Sequence, residues 1–263
     1  MPDPTPTNWA AGRYEAVAER IAVIAAEVVA AVDARRPVRD TDLVDLACGT
    51  GSAALAAAAA GARVTGVDLT PELIAIAAQR PLGETVTWVV SDAAHTDLPD
   101  AMFDAAVSNM GIIFVEPNQQ VAEIARLLRP GAVVGFSSWV RDPDNPFFSP
   151  IVTVLGPPEP SAYSPDQWGD TATITDRLAA DFDSVEIEPC THTWQLGKID
   201  EAVHFMTHES PMHVSLLGSV DNTKRDRLLA AFGDAIRSHA DADGAVRYDS
   251  PYLIVTAQRR SVL

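Results

Sequence analysis

The sequence predicts an α/β fold built on a doubly wound, mostly parallel sheet of seven strands, and two observations support this prediction. Apolar, strand-like runs alternate with helix-like segments along residues 43–138. Such alternation indicates parallel strands lying side by side, with helices covering both faces of the sheet. In addition, the first predicted strand runs into a glycine turn, Gly49-Thr50-Gly51, that opens a helix. A turn of this kind is typical of folds that bind a nucleotide-like ligand.

The first predicted element is a helix over residues 10–34. Val17, Ile21 and Ile24 recur at steps of three and four residues, which places them on one helical face. Arg35-Arg36-Pro37 ends this helix, because basic residues suit the C-terminal end of the helix dipole and proline acts as a stop.

The alternation of strands and helices then continues. Thr70 is a suitable N-cap for one helix, with Pro71 and Glu72 in its first turn. The predicted strands cover residues 43–47, 62–67, 85–90, 103–109, 131–138, 184–195 and 252–258. The predicted helices that follow the first one cover residues 52–60, 71–80, 118–128, 174–181, 200–209 and 222–239.

Beyond residue 140 the regular pattern changes into a stretch rich in turn-forming residues with embedded aromatic side chains. We therefore predict a single domain over residues 1–263, with a cofactor-binding core at about 40–140. Two insertions, at about 140–172 and about 198–240, are predicted to form a lid or part of a substrate pocket.

The composition limits the classes of partner. Acidic residues outnumber basic ones by 36 to 19, so the formal net charge is −17 and the isoelectric point is about 4.5. A surface of this sign repels phosphate backbones and anionic lipid headgroups. The alanine run at residues 53–60 is also too short to span a bilayer. We therefore expect no nucleic-acid partner and no membrane insertion.

Cysteine usage and the N-terminus indicate the compartment. Cys48 and Cys190 lie far apart without a CxxC spacing, which argues against a disulfide framework or a structural zinc site. The residues after Met1 lack the basic and apolar regions of a secretion signal. With 47% hydrophobic residues and a mean hydropathy of +0.05, the chain is typical of a soluble globular protein, and a cytoplasmic location is the simplest expectation.

Acidic and polar side chains accompany the ends of the predicted strands. Asp45 lies inside the first strand, Asp68 ends the second, Asp92 follows the third and Asn109 ends the fourth. Glycines 49 and 51 leave no Cβ at the turn, so a ligand can lie against the backbone amides that open the next helix. An acid at the tip of the neighbouring strand can accept both hydrogens of a ribose diol, which points to an adenosine-containing cofactor.

This ordered set of motifs resembles the class I S-adenosylmethionine-dependent methyltransferases, particularly the small-molecule branch that includes the ubiquinone and menaquinone biosynthesis enzymes. The resemblance covers roughly residues 40–140. It implies a Rossmann-like fold and an enzyme that transfers a methyl group from S-adenosyl-L-methionine to a small-molecule acceptor, leaving S-adenosyl-L-homocysteine. A homodimer is a further expectation for the assembly of this chain.

The same resemblance assigns roles to individual cofactor-binding residues. Asp45, Ala47, Gly49 and Gly51 would line the methionine end, and Ala47 departs from the family, which more often has glycine there. The remaining assignments place Asp68 on the ribose hydroxyls, Leu69 on adenine, Asp92 at the adenine amino group with Ala93 beside it, Asn109 beneath the cofactor, and Tyr14 with Trp9 on an N-terminal helix folded over it.

Charge agrees with this resemblance, since S-adenosylmethionine carries an ammonium and a sulfonium whereas NAD carries an anionic pyrophosphate. A buried carboxylate such as Asp45 is costly unless it serves a cation. The segment Gly49-Thr50-Gly51-Ser52-Ala53-Ala54 nevertheless also fits the GxGxx(G/A) dinucleotide pattern. An NAD-dependent oxidoreductase and a non-catalytic S-adenosylmethionine-binding protein therefore stay as alternatives.

Histidines supply the candidates for a catalytic base, which is needed only if the acceptor must lose a proton. His208 and His213 are the predicted catalytic residues, because histidine titrates near neutrality. His204 and His208 share a helical face at a spacing of four, but without the rest of an HExxH arrangement no metal site is expected. Phe147, Phe148 and Trp168 either wall an apolar acceptor site or pack in the core.

Overall fold

The computed structural model describes residues 7–158 and 163–261. The chain divides into two compact units. The sheet unit comprises residues 21–141, 162–190 and 251–263, and the second unit comprises residues 1–20, 142–161 and 191–250. The assignment of residues 1–263 to a single domain stays a prediction, and residues 159–162 of the first predicted insertion lie outside the described part of the chain.

The predicted α/β fold is confirmed: the described residues form a seven-stranded sheet in the order β3-β2-β1-β4-β5-β7-β6. Strands β1 to β5 pair in parallel, and β7 runs antiparallel to β5. Their bounds are β1 Asp42–Leu46, β2 Arg63–Asp68, β3 Thr87–Val90, β4 Phe103–Asn109, β5 Leu128–Trp139, β6 Phe182–Lys198 and β7 Ala245–Arg259.

Helices connect these strands within the two units. The sheet unit carries α2 Ala22–Arg35, α3 Ser52–Ala59, α4 Pro71–Gln79, α5 Pro117–Leu127 and α7 Thr171–Leu178. The second unit carries α1 Tyr14–Arg20, α6 Ser149–Leu155, α8 Ile199–His204, α9 Pro211–Ser219 and α10 Asn222–Ser238. No helix in the described ranges combines the length and apolar character that crossing a bilayer requires.

Successive residues of β1 point to opposite faces of the sheet, and each face is covered by helices. Leu43 packs in a buried cluster with apolar residues of α2 and α3. Val44 and Leu46 pack in a second buried cluster with residues of α5 and α7. The sheet unit is therefore doubly wound, as the strict alternation of strands and helices predicts.

The N-terminal helix predicted over residues 10–34 is two helices in the structure. Ile21 has non-helical dihedral angles, φ −104° and ψ 10°, and separates α1 from α2. Hydrophobic periodicity does not reveal this break, because the apolar positions keep their spacing across it. As a result, α1 belongs to the second unit and α2 to the sheet unit.

Other element boundaries also differ from the predictions. Strand β5 begins at Leu128, three residues before its predicted start, and β7 begins at Ala245 rather than at residue 252. The predicted helix over 200–209 ends as an α-helix at His204 and continues as a π-helical turn, Phe205–Glu209. The sequence pattern did not predict helix α9, which lies between the predicted helices over 200–209 and 222–239.

The loop that follows β3 is fixed by helix α5. The buried carboxylate of Glu123 accepts hydrogen bonds from the Thr96 backbone N–H (2.8 Å) and hydroxyl (2.6 Å) and from Arg126 Nε (2.8 Å on Oε2). Gln120 Nε2 donates to the Ala93 carbonyl at 3.1 Å. Burial alone would raise the pKa of Glu123, but hydrogen bonds from Arg126 and Thr96 outweigh it and hold the pKa below its ordinary value. This network fixes the loop that carries Asp92 and Ala93.

Candidate functional site

The candidate site lies at the carboxyl ends of β1, β2 and β4. Strand order reverses direction between β1 and β4, since β2 and β3 extend the sheet on one side of β1 and β4 and β5 extend it on the other. Ligands of doubly wound folds bind at this switch point, outside the carboxyl ends of the strands. Asp45 near the end of β1, Asp68 at the end of β2 and Asn109 at the end of β4 all occupy this edge.

The glycine turn after β1 has an unusual backbone. Ala47, Gly49 and Gly51 have φ values of +54°, +55° and +79°, in the left-handed region. The Gly51 N–H closes the turn on the Cys48 carbonyl at 2.8 Å. Glycine adopts this conformation without strain, but alanine does so at a cost. The departure from the family pattern at residue 47 is therefore a place where the chain holds an alanine in a glycine conformation.

Glycine is predicted at position 51 to make room for a ligand, but in the structure Trp88 occupies the place of its missing Cβ. A Cβ at residue 51 would lie 2.5 Å from the Trp88 ring, and one at Gly66 would lie 2.4 Å from the same ring. Trp88 of β3 thus packs directly against two glycines. The hydrogen of Gly51 faces this indole, so the glycine is explained by internal packing, and its contact with a cofactor stays a prediction.

Asp68 connects the end of β2 to the glycine turn. Its Oδ2 accepts the Gly49 backbone N–H at 2.8 Å, and its Oδ1 accepts the Thr70 N–H at 2.9 Å. The side chain is only 8% exposed. Each carboxylate oxygen keeps lone-pair capacity beyond its single backbone bond. Next to it, Leu69 is 67% exposed, which is unusual for a large apolar side chain and provides an apolar surface beside the carboxylate.

Asp45 is a buried carboxyl group with one satisfied oxygen. Its Oδ2 accepts the Ala54 N–H in the first turn of α3 at 2.8 Å, whereas Oδ1 has no hydrogen-bond partner within the described residues. Burial raises the pKa of Asp45 to about 8, and the negative charge of Asp68 adds to this, although the Ala54 hydrogen bond opposes it. The Thr50 hydroxyl is likewise buried without a partner in the described chain.

The other predicted cofactor residues of the sheet unit also lie at the site edge. Asp92 is exposed, and its Oδ1 accepts the Ala94 N–H at 2.9 Å. Ala93 is buried beside it. The Asn109 Oδ1 accepts the Ser137 hydroxyl at 2.8 Å, and Ser137 in turn accepts the Met110 N–H at 3.0 Å. Asn109 is thereby fixed at the end of β4.

Three predicted site residues belong to the second unit. Tyr14 begins α1 and makes an edge contact with Trp9, with ring centroids 6.3 Å apart. His208 lies on an exposed turn, where its ring stacks on His204 at 4.8 Å. Within the described residues no group of three or more histidine, cysteine or acidic side chains is arranged to hold a metal ion.

His213 is buried in the second unit, with both ring nitrogens in hydrogen bonds. Nε2 donates to the Phe147 carbonyl at 2.9 Å, and Nδ1 accepts the Ser210 hydroxyl at 2.7 Å. The residue is 2% exposed, and burial lowers its pKa to about 4, although the bond to Phe147 opposes this. These bonds tie α9 to the segment before α6. A catalytic role for His213 stays a prediction, and its geometry fits a neutral packing residue.

The aromatic residues predicted to wall an acceptor site differ in exposure. Trp168 is fully buried and packs edge-on against Phe136 at 5.3 Å, so it belongs to the core of the sheet unit. Phe147 is also buried, whereas Phe148 is 44% exposed. Of the three, only Phe148 presents its side chain to a surface.

Sequence reasoning missed a polar depression in the second unit, with a volume of about 480 Å³. Arg20 lines it and stacks over Phe205 at 4.4 Å, and Arg13 lines it in an ion pair with Glu209. These residues lie in α1, directly before it and in the π-helical turn, and no sequence spacing indicates that these segments are close. Arg80, which contacts the glycine turn through Thr50, was missed for the same reason.

Comparison with known proteins adds independent information. The methyltransferase domain family matches residues 44–136. An uncharacterised protein of Mycobacterium tuberculosis is 30% identical, over 96% of this chain and 93% of that protein. The demethylmenaquinone methyltransferase of Clavibacter sepedonicus is 33% identical, over 60% of this chain and 72% of that enzyme.

A solved structure supports the fold. Phosphoethanolamine N-methyltransferase 2 of Haemonchus contortus, in complex with phosphomonomethylethanolamine and S-adenosylhomocysteine, is similar with a TM-score of 0.56. The match covers 89% of this chain and 52% of that chain, at 19% identity. At this identity the similarity concerns the fold alone.

Ala47 has a left-handed backbone conformation, and its replacement by glycine should remove the strain that an alanine has there. We expect Ala47→Gly to raise the free energy of unfolding by about 0.5–1 kcal/mol. The matched change Ala53→Gly, inside helix α3, should lower it by about 0.5–1 kcal/mol, because there glycine replaces a good helix former. Urea unfolding of both variants measures the two effects, and a loss of stability in Ala47→Gly would contradict the strain.

Burial of neutral His213 predicts a pH-dependent stability. Between about pH 6.5 and pH 4 the unfolded imidazole binds a proton that the folded one does not, so this residue lowers the stability of the native protein as the pH falls, by at most about 3 kcal/mol. His213→Gln keeps hydrogen-bonding capacity but does not titrate. Urea unfolding at pH 7, 5.5 and 4.5 should show a weaker acid dependence in the variant. Identical pH profiles would show that His213 is not held neutral.

Proposed function

The chain belongs to the class I S-adenosylmethionine-dependent methyltransferases, and we propose that its glycine turn and the surrounding acids hold S-adenosyl-L-methionine while a small aromatic acceptor receives the methyl group. The enzyme methylates a small-molecule substrate, and S-adenosyl-L-homocysteine is the other product. The observation that carries the proposed site is the pair of buried carboxyl groups, Asp45 and Asp68, beside a glycine turn at the switch point of the sheet.

The residues at this edge fit an adenosine-bearing cation. Asp45 Oδ1 and the Thr50 hydroxyl are buried polar atoms without partners in the described chain, and buried polar groups are normally satisfied. Asp68 retains acceptor capacity for ribose hydroxyls, and exposed Leu69 offers an apolar face for adenine. Asp92 is exposed on its fixed loop and is suited to accept a hydrogen bond from the adenine amino group. An anionic pyrophosphate in the same place would face Asp45 and Asp68, which disfavours NAD.

The protein contributes mainly position to the reaction. When bound, S-adenosyl-L-methionine supplies an electrophilic methyl group that an acceptor nucleophile displaces in line. Asp68 and Leu69 would fix the adenosine, and Asp45 would counter the positive charge at the methionine end. Holding the two reactants in line and excluding water accounts for most of the rate that such a site can provide. An acid-base residue is required only where the acceptor loses a proton.

The relatives favour a ring carbon of a quinone-like acceptor. The demethylmenaquinone methyltransferase of Clavibacter sepedonicus and the ubiquinone/menaquinone biosynthesis C-methyltransferase of Rubrivivax gelatinosus align with 60% and 54% of this chain. A panel of demethylated naphthoquinols, phenols and amines, assayed with radiolabelled methyl donor, tests this. Methyl transfer to phenols or amines alone would show that the enzyme methylates oxygen or nitrogen rather than carbon. Binding without transfer to any member would favour a non-catalytic binding protein.

Several finer statements stay predictions. These are the cytoplasmic location, a homodimer, and catalytic roles for His208 and His213. The exposed position of His208 and the fixed hydrogen bonds of His213 do not by themselves connect either ring to a reaction.

Cofactor identity is tested by calorimetry. We expect S-adenosyl-L-methionine and S-adenosyl-L-homocysteine to bind and NAD not to bind. Asp68→Ala should weaken both interactions by about 1–3 kcal/mol, because it removes charge-assisted hydrogen bonds. Asp176→Ala, which changes an exposed carboxylate of α7, is the matched control and should leave binding unchanged. NAD binding without S-adenosyl-L-homocysteine binding would replace the proposal by the oxidoreductase alternative.

The state of Asp45 predicts pH-dependent affinity for the methyl donor. Because burial raises the pKa of Asp45 to about 8, its carboxyl is largely protonated at pH 7, and a cationic ligand favours the ionised form. Affinity should therefore rise with pH below about 8, by up to about tenfold per pH unit, and level off above it. Titrations of wild type and Asp45→Asn at pH 6, 7, 8 and 9 isolate this residue, since the ligand's own titration is common to both. A constant ratio of the two dissociation constants would contradict the expectation.

A further inference from the structure

The segment that follows helix α4 contacts the glycine turn. This helix ends at Gln79, and Arg80 is extended, with φ −72° and ψ 157°. Pro81 enforces this conformation, because a residue before proline is disfavoured in the helical region. The Arg80 N–H caps the helix on the Ala77 carbonyl at 3.2 Å. The backbone that carries the Arg80 side chain is thus fixed in place.

The Arg80 guanidinium spans the two residues that flank Gly51. Its Nη1 donates to the Thr50 carbonyl at 2.9 Å and lies 3.3 Å from the Ser52 hydroxyl oxygen. Gly51 between them has φ +79° and is the N-cap of α3. Arg80 is half-buried, so these charge-assisted bonds are partly shielded from water. The contact fixes the Thr50 carbonyl and the Ser52 hydroxyl relative to the end of α4.

Trp88 supports the same turn from the same segment. Its Nε1 donates to the Gly83 carbonyl at 2.9 Å, and Gly83 donates its N–H to the Arg80 carbonyl at 2.8 Å. The indole ring then lies against Gly51 and Gly66 so closely that no Cβ fits at either residue. Residues 80–88 therefore meet the glycine turn at two points, one polar and one apolar.

A turn with three left-handed residues needs such support. The turn keeps the shape that it offers to a ligand only while Ala47, Gly49 and Gly51 keep their positive φ values. A displacement of about 1 Å in a binding turn costs substantial affinity or rate. We propose that Arg80, together with Trp88, is a positioning residue that sets the affinity of the glycine turn for the adenosine-bearing cofactor without contacting it. This inference rests on the proposed function.

A direct charge effect of Arg80 would act differently. The guanidinium is a cation, so by charge alone its removal would strengthen binding of the cationic methyl donor relative to the neutral thioether product. Loss of a positioning effect weakens the binding of both ligands by the same factor, since the turn would bind the part of the molecule that the two ligands share. The ratio of the two dissociation constants therefore separates the two roles.

The experiment compares Arg80→Met and Arg80→Lys with wild type. Isothermal calorimetry with S-adenosyl-L-methionine and S-adenosyl-L-homocysteine should give about tenfold weaker binding of both ligands to Arg80→Met, as expected if the loosened turn keeps its binding shape about one-tenth of the time. Arg80→Lys, which keeps one donor at the turn, should recover part of the loss. Arg39→Met, which removes an exposed arginine before β1, is the matched control and should bind like wild type.

Two further measurements separate positioning from unfolding. Turnover at saturating methyl donor should stay within about twofold of wild type in Arg80→Met, because only the cofactor turn is loosened. Amide hydrogen exchange in a peptide covering residues 47–53 should become faster, while exchange in β4 and β5 stays as in wild type. If Arg80→Met does not fold, partial loss of affinity in folded Arg80→Lys provides the same test.

Several outcomes would overturn the inference. Equal affinity of wild type and Arg80→Met, or a selective gain for the cationic ligand, would contradict positioning. Unchanged exchange in residues 47–53 would do so as well. Failure of the wild-type protein to bind either ligand would instead refute the proposed function, so the two failures are distinguishable.

Discussion

The candidate site depends on one constraint, the left-handed backbone of the turn between β1 and α3. The carboxyl ends of three strands approach this turn, and side chains around it bond to its backbone. Asp68 accepts the Gly49 N–H, Asp45 accepts an N–H of the first turn of α3, and Arg80 donates to the Thr50 carbonyl. Because these bonds come from β2, β1 and the end of α4, the turn keeps its shape only when the sheet is assembled. The fold and the site are therefore formed by the same interactions.

Charge distinguishes supporting acids from acids that suit a ligand. Glu123 is buried but has Arg126 and Thr96 as partners, and its pKa lies below the ordinary value. Asp45 is also buried, yet its strongest electrostatic neighbour is another acid, and its pKa is raised. An isolated buried carboxyl is costly, and a cation at the site would offset this cost. A buried acid is thus satisfied within the protein in one place and suited to a cationic ligand in the other, and only the surrounding atoms distinguish the two.

The sequence predicts those parts of the molecule that depend on the local spacing of residues. Strand β4 has its predicted bounds, and Asp45, Asp68 and Asn109 lie at the predicted sheet edge, because period-two runs and glycine turns are local signals. The break at Ile21 and the contact of Trp88 with Gly51 were not predicted. Both depend on residues that meet only in three dimensions. The same holds for His213, whose burial between Ser210 and Phe147 joins positions 66 residues apart.

The hydrogen bonds of His213 bear on its predicted role as a base. An imidazole whose Nε2–H is committed to a carbonyl and whose Nδ1 accepts a hydroxyl is neutral, and moving a proton through it would require breaking one of these bonds. Displacement at a sulfonium methyl group needs alignment more than proton transfer, since the leaving group departs as a neutral thioether. In the proposed transfer, a quinol-type acceptor would be activated by its own ring oxygens, and its ring proton would pass to water after the carbon–carbon bond forms. A transfer of that kind would depend on shape and orientation provided by the protein rather than on a general base.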